Sequence, residues 1–302
     1  MELNSFQEKL ENILPQIEIR FNEPMSRHTS FRIGGAAEAM AFPKSEEELS
    51  QLLKLSRELD TQCAILGAGT NVLAPDAGVP GLVVCLKDCL NGMELVGEGR
   101  LRVMAGVTMS RAAVFAANHD LSGLEFAHGI PGTVGGGVYM NAGAYGGEIG
   151  QVCIQVSVMD KAGQLHVRTR EEMDFGYRHS RLEETGEIVT CAVFQLTDAP
   201  QEQVKQRMKE LQSRRIASQP LDYPSAGSAF KRPAGGYAAA LIDQAGLKGF
   251  RVGNAAISEK HAGFAINLGG ATAQDVKELL LQTSNRVYEN SGIRLEPEIR
   301  IW

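Results

Sequence analysis

Two glycine-rich stretches carry most of the chemistry this sequence can offer. From Gly123 to Gly150 the chain reads GLEFAHGIPGTVGGGVYMNAGAYGGEIG, with ten glycines set around a few polar side chains, far above the usual glycine content of about 7%. Glycine costs backbone entropy on folding and belongs where a chain needs a positive φ or must pass close to another backbone or a flat ligand. Main chain, more than side chains, therefore does the work in this segment. Upstream, the apolar run Cys63 to Leu66 leads into Gly67-Ala68-Gly69-Thr70-Asn71. A strand feeding such a turn presents successive N–H groups and a hydroxyl to an anion such as a pyrophosphate; the same spacing also suits a plain strand-to-loop turn. GAGTNVLA lacks the third glycine and the following amphipathic helix of a nicotinamide-binding Rossmann turn, and Pro75 soon intervenes. Together the two loops point to a bound dinucleotide held outside a Rossmann fold.

The elements that must position these loops follow from the hydrophobic pattern. Ser45-Glu46-Glu47-Glu48 opens a capped helix through Leu59, followed by the strand into the first loop and by a second apolar strand, GLVVCL, in a βαβ-like opening. MELVG and RLRVMAG flank Glu98 as a hairpin, a helix runs from about Thr108 to His119, and strands are expected around Val152 to Met159, Gln164 to Arg168 and EIVTCAVFQL. Asp198-Ala-Pro introduces a charged helix in which Val204, Met208 and Leu211 form one apolar stripe. The composition then shifts to Gly, Pro and Ser, which sets a domain boundary near Ala199. Beyond it the pattern predicts helices over Tyr237 to Ala245 and Thr272 to about Asn290, strands near Ala255 to Ile257 and Gly263 to Asn267, and a closing strand, IRLEPEIRIW. The fold class is α+β.

With 302 residues and 43% hydrophobic content the chain can bury two or three cores. A net charge of −6 gives no basic face for nucleic acid or anionic lipid. No apolar run approaches the roughly 18 residues of a membrane span, and MELNSFQEKLENIL is an acidic amphipathic segment rather than a signal peptide. A cytoplasmic protein without nucleic-acid, membrane or obligate protein partners is expected. Five cysteines without regular spacing fit buried thiols in a reducing compartment. Cys85 and Cys89, the closest pair, gain no matching ligands from the scattered His28, His119, His128, His166, His179 and His261, so no structural metal is expected.

HTSFRIGG at 28–35, ILGAGTNVL at 65–73 and GIPGTVGGGVYMNAGAYGGEI at 129–149 together resemble the UDP-N-acetylenolpyruvoylglucosamine reductase family, flavoproteins of peptidoglycan (cell-wall) precursor synthesis. FGYRHSRL at 175–182, GSAFKRP at 227–233, LIDQAGLKG at 241–249 and LEPEIRIW at 295–302 continue the resemblance in the family's order. It implies a vanillyl-alcohol-oxidase (PCMH)-type FAD-binding domain of two α+β subdomains over residues 1–198, split near 80–100. A C-terminal α+β substrate-binding domain would occupy 199–302, its last strand returning to the flavin region.

By the same resemblance Gly67, Ala68, Gly69, Thr70, Asn71 and Leu73 hold the FAD pyrophosphate. Ile130, Pro131, Gly132, Gly135, Asn141, Gly143 and Ala144 lie along the isoalloxazine and ribityl groups, and Arg178, Ser228 and Glu298 are catalytic. The implied substrate, UDP-N-acetylglucosamine enolpyruvate, takes hydride from NADPH by way of FAD. Hydride attack on its methylene carbon throws charge into the neighbouring carboxylate, which a bidentate arginine stabilises, and Ser228 delivers the proton. Glu298 either donates a hydrogen bond while protonated or orients Arg178 as a carboxylate. Tyr177 and Lys231 are substrate-binding candidates. Arg232 stands where other family members carry asparagine, and Tyr223 is a candidate cover in what resembles the family's shorter subtype.

Read without the resemblance, Arg178 is a surface salt-bridging residue, Ser228 a turn residue and Glu298 a solvated strand residue that Glu296 rivals. Two other functions fit the loops: a related FAD-dependent alcohol oxidase, with His128 beside the glycine segment for covalent flavin attachment, and a non-catalytic UDP-sugar binding protein.

Overall fold

The apolar periodicity of the chain resolves into two compact units, each with its own sheet and core. The structure is a computed structural model and describes residues 5–302. The first unit is built from the chain up to Asn22, Glu38–Ala68 and Pro80–Ser213; the second from Glu23–Ala37, Gly69–Val79 and Arg214–Trp302. The first four residues of the acidic N-terminal segment lie outside the described residues, and the rest of that segment is helical over Ser5–Ile13.

In the first unit the helix Glu46–Glu58 begins at Ser45, whose hydroxyl accepts the Glu48 N–H at 3.1 Å. The Glu48 carboxylate reaches back to the Lys44 N–H rather than to that of Ser45, at 2.6 Å. Leu49, Leu52, Leu53 and Leu55 of this helix are buried with Ala39, Ala41, Leu82, Val84 and Met159, each large side chain contributing about 1.5–3 kcal/mol by leaving water. The sheet beneath has the order Glu18–Pro24, Ala36–Phe42, Val79–Cys85, Cys63–Leu66. Its last two strands run parallel, with Leu66 opposite Cys85. Because a parallel pair needs a long connection, the first glycine loop leaves the end of Cys63–Leu66 and the chain returns only at Val79. Burial of Leu82 through Cys85 without alternation is the mark of a strand covered on both faces.

A second, antiparallel sheet of the same unit has the order Leu165–Thr169, Cys153–Met159, Ile188–Gln195, Arg100–Met104, Met93–Leu95. The last two are the expected hairpin about Glu98. The helices Met109–Asn118 and Val134–Tyr139 share a core with this sheet. Val204 and Met208 of the helix Gln201–Ser218 bury their stripe in that core.

The second unit is organised around the antiparallel sheet Ser225–Ser228, Phe264–Asn267, Ala255–Ile257, Arg251–Val252. The helix Ala273–Ser291 is fixed by a reciprocal capping box between Thr272 and Asp275 and ends at Gly292 with φ 71°. Phe31, Ile33 and Leu73 join Ile242, Ile257, Val276, Leu279, Leu295 and Ile299 in its core. The closing strand is much shorter than the sequence pattern predicts. Only Arg300–Ile301 is a strand, pairing in parallel with Val72–Leu73; Pro297, with no N–H to donate, makes only an isolated bridge to Phe230.

Candidate active site

The first glycine loop is held by its neighbours' main chain. Gly69 has φ 61°, and a Cβ there would lie 2.1 Å from the carbonyl oxygen of His28. Its own carbonyl accepts the Ser30 N–H at 3.0 Å. The Ser30 hydroxyl donates to the carbonyl of Ser225 at 2.6 Å, tying the loop to the strand that carries Ser228. Asn71 donates its side-chain N–H to the carbonyl of Glu298 at 3.1 Å, and its own carbonyl accepts the Arg300 N–H at 2.9 Å. Leu73 is fully buried. Among the described residues no turn or loop hydrogen bond takes up the N–H groups of Gly67, Ala68 or Gly69. That donor set fits an anionic cofactor group such as the pyrophosphate of FAD.

The second glycine segment is partly helical. Thr133 caps the helix Val134–Tyr139, its hydroxyl accepting the Gly136 N–H at 3.4 Å. A Cβ on Gly67 would meet that hydroxyl at 2.6 Å. Gly135 donates its N–H to Ala105 and lies so close that an added Cβ would be 3.0 Å from the Ala105 methyl. Ile130 donates to Ala127, while Pro131 is exposed and Gly132 has φ 141°. Gly143 and Ala144 form a two-residue strand paired with Gly147 and Glu148. Asn141, expected along the flavin, is fully buried, and both of its side-chain polar groups are hydrogen-bonded within the unit. His128 beside the segment meets Ser110 at 3.3 Å, and burial holds its imidazole below the ordinary histidine range.

Arg178 adopts φ 53°, a conformation uncommon outside glycine and asparagine and one that costs of order 1–3 kcal/mol when the surroundings impose it. One of its terminal N–H groups donates to the Gly143 carbonyl at 3.2 Å, and its guanidinium lies 5.2 Å from the ring of half-exposed Tyr177. In the second unit Ser228 is exposed at the end of its strand, directly before buried Ala229. The Glu298 N–H donates to the Ala229 carbonyl at 3.0 Å, so that Ser228 and Glu298 come from adjoining stretches of backbone. Lys231 is ion-paired to Glu296 at 2.5 Å, which separates the two rival carboxylates: Glu296 faces the lysine and is mostly exposed, whereas Glu298 is half-buried. Arg232 lies over the ring of Tyr237 at 4.5 Å, and Tyr223 is exposed. Burial lowers the His261 imidazole as well, and its Nδ1 accepts the Gly263 N–H at 3.1 Å.

Sequence reasoning missed Ser30 and Ser180. Ser30 lies inside the quoted HTSFRIGG stretch, where residue type alone gives no hint of its two partners. Ser180, fully buried, donates its hydroxyl to the Tyr139 carbonyl at 2.7 Å. Among the described residues no group of three or more His, Cys, Asp or Glu side chains is placed to hold a metal, and no helix is long and apolar enough to cross a membrane.

A family model described as FAD binding domain matches residues 37–168, and one described as UDP-N-acetylenolpyruvoylglucosamine reductase, C-terminal domain, matches residues 219–302. The crystal structure of UDP-N-acetylenolpyruvylglucosamine reductase (MurB) from Thermus caldophilus is similar with a TM-score of 0.80 and 38% identity, over 95% of this chain and 98% of that one. Xylooligosaccharide oxidase from Myceliophthora thermophila C1 is similar at a TM-score of 0.50 and 16% identity, over 65% of this chain and 44% of that one, a likeness of fold alone. The glycine loops and the FAD-binding match define the class: an FAD-dependent oxidoreductase with an α+β, PCMH-type flavin domain. The UDP-N-acetylenolpyruvoylglucosamine reductase of Caldanaerobacter subterraneus subsp. tengcongensis is 46% identical over 295 residues, 97% of each chain. The chain belongs to the UDP-N-acetylenolpyruvoylglucosamine reductase family.

Proposed function

We propose that the chain reduces UDP-N-acetylglucosamine enolpyruvate to UDP-N-acetylmuramate in peptidoglycan precursor synthesis, with NADPH as hydride donor and FAD as carrier. Residues 1–198 would bind FAD and 199–302 the nucleotide sugar. Gly67, Ala68, Gly69, Thr70, Asn71 and Leu73 make the pyrophosphate loop, and Ile130, Pro131, Gly132, Gly135, Gly143 and Ala144 lie along the isoalloxazine and ribityl groups. Bound FAD supplies a hydride acceptor toward NADPH and a hydride donor at N5 toward the enol ether.

The reaction adds one hydride and one proton across the enolpyruvyl double bond. As the hydride reaches the methylene carbon, negative charge spreads from the adjacent carbon into the carboxylate. Arg178 is shaped to meet both carboxylate oxygens, and its strained backbone supports a role the surroundings maintain at a cost. Ser228 gives its hydroxyl proton to the adjacent carbon, a weak acid acting on a strongly basic centre. Glu298 supplies a hydrogen bond to the developing charge from the backbone next to Ser228. Tyr177 and Lys231 contact the substrate, Lys231 by leaving Glu296 for the diphosphate.

What supports this reading is the backbone hydrogen bond from Glu298 to the carbonyl of Ala229, the neighbour of Ser228, at 3.0 Å, which joins the stretches that carry Ser228 and Glu298 within the unit. Ser228→Ala tests it. Bleaching of the flavin by NADPH should persist, and reoxidation by the enol ether should fall by about 10²–10⁴-fold, the usual contribution of a general acid. A variant that binds FAD but is not bleached by NADPH would remove Ser228 from this role.

A further inference from the structure

The turn that carries Arg178 is fastened to the second glycine segment at three points. Gly176 and His179 exchange backbone hydrogen bonds, Gly176 N–H to His179 at 3.1 Å and His179 N–H to Gly176 at 3.3 Å, with Tyr177 and Arg178 between them. A positive φ at the third residue of such a turn ordinarily selects glycine, yet Arg178 occupies it at 53°. The Asn141 side chain donates an N–H to the Gly176 carbonyl at 2.8 Å, so that this oxygen accepts from both Asn141 and His179. Ser180 secures the other side of the turn through the Tyr139 carbonyl, and Gly143 receives the Arg178 guanidinium.

Asn141 is itself fixed. It is 0% exposed, has φ 42°, and its Oδ1 accepts the Gly150 N–H at 2.8 Å. Asparagine tolerates that left-handed backbone better than most residues. Its amide plane, with donor and acceptor both engaged, holds the Gly176 carbonyl at a set position relative to Gly150.

We propose that Asn141 is a positioning residue for Arg178: through the Gly176 carbonyl it sets the turn that aims the guanidinium at the developing carboxylate charge. This rests on the role given to Arg178 above. It turns a residue expected along the flavin into one that acts on the second half of the reaction. A misplacement of about 1 Å costs about 10²-fold in rate, which is within reach of a turn released from one of its three fastenings.

Asn141→Asp is the informative variant because it keeps the shape, the acceptor toward Gly150 and the tolerance of positive φ. Ionised, its carboxylate opposes the Gly176 carbonyl, acceptor against acceptor; protonated, it donates an O–H in place of the lost N–H. Burial raises a carboxyl's pKa, so the defect should fade on acidification. The expected result in the FAD-loaded protein at about pH 8 is retained flavin, bleaching by NADPH within about threefold of wild type, and reoxidation by the enol ether slowed about 100-fold. Relative to wild type, part of that loss should return near pH 5.5. Hydrogen exchange of the His179 amide, read without turnover, should speed up at high pH and recover over the same range.

Asn141→Gly, which also accepts the backbone conformation, should show the same loss with no pH rescue. Loss of FAD or of NADPH bleaching in both variants would make Asn141 a flavin contact, and failure of both to fold would make it a residue of the fold; either overturns the proposal, as would wild-type reoxidation and unchanged His179 exchange in Asn141→Asp. If wild type itself is bleached but not reoxidised by the enol ether, the proposed function falls, and the His179 exchange still decides whether Asn141 holds the turn.

Discussion

The two glycine segments are dense in the same residue for different reasons. In the first, the space beside Gly69 is filled by main chain, the carbonyl of His28 at 2.1 Å from an ideal Cβ, and the loop's own carbonyls receive N–H groups from Ser30 and Arg300. In the second, the space beside Gly147 and Gly137 is filled by side chains: the Phe126 ring at 2.5 Å from a Cβ on Gly147, and the Met109 sulfur at 2.7 Å from one on Gly137. Backbone held by hydrogen bonds cannot give way, whereas a side chain can change rotamer. The backbone at Gly69 is therefore fixed, while Gly137 and Gly147 lie on close-packed surfaces whose neighbouring side chains set their tolerance. Each also carries one asparagine whose side chain donates to a distant backbone carbonyl, Asn71 to Glu298 and Asn141 to Gly176.

Alanine substitutions separate these two kinds of crowding. Gly69→Ala should have the largest effect, roughly 3 kcal/mol or more lost in chemical denaturation with loss of FAD on purification, because strain at positive φ adds to a main-chain clash. Gly147→Ala should cost about 1–3 kcal/mol, the usual range for overpacking against a ring that must shift as a whole. Gly137→Ala should be smallest, within about 1 kcal/mol of wild type, since the unbranched Met109 can move and alanine gains up to about 1 kcal/mol over glycine within a helix. If Gly137→Ala were as damaging as Gly69→Ala, the distinction between the segments would be lost.

Much of the fold is legible in the sequence because its signals are local. The apolar periodicity of the helix Glu46–Glu58, the β-prone run at Ile188–Gln195 and the Thr272 cap all lie within a few residues of the elements they specify. The helix Val134–Tyr139 is not legible, since three of its residues are glycine, each costing about 1 kcal/mol in a helix. It exists because Thr133 caps it and because Ala105 and Met109 pack where a Cβ would otherwise stand. The joining of residues 23–37 and 69–79 to the C-terminal core is equally hidden, because Phe31 and Leu73 meet Val276 and Ile299 only across long separations.

The candidate site divides in the same way. The resemblance to the family, not residue type, singles out Arg178, Ser228 and Glu298, and the joining of the stretches that carry Ser228 and Glu298 is a product of topology. Nothing in FGYRHSRL announces that the arginine takes a conformation usually left to glycine. Asn141 reads as a ligand contact by its place in the motif, and nothing in that motif announces that its side chain is hydrogen-bonded to Gly150 and Gly176.

The proposed reaction requires one flavin to serve both NADPH and the enol ether, which the anaerobic visible spectrum reads in a single experiment. NADPH should bleach the flavin band of the purified protein, and UDP-N-acetylglucosamine enolpyruvate should then restore it, with UDP-N-acetylmuramate formed in equal amount. A band that bleaches and does not return would contradict the proposed substrate, and a protein that neither carries nor takes up FAD would contradict the flavin chemistry altogether.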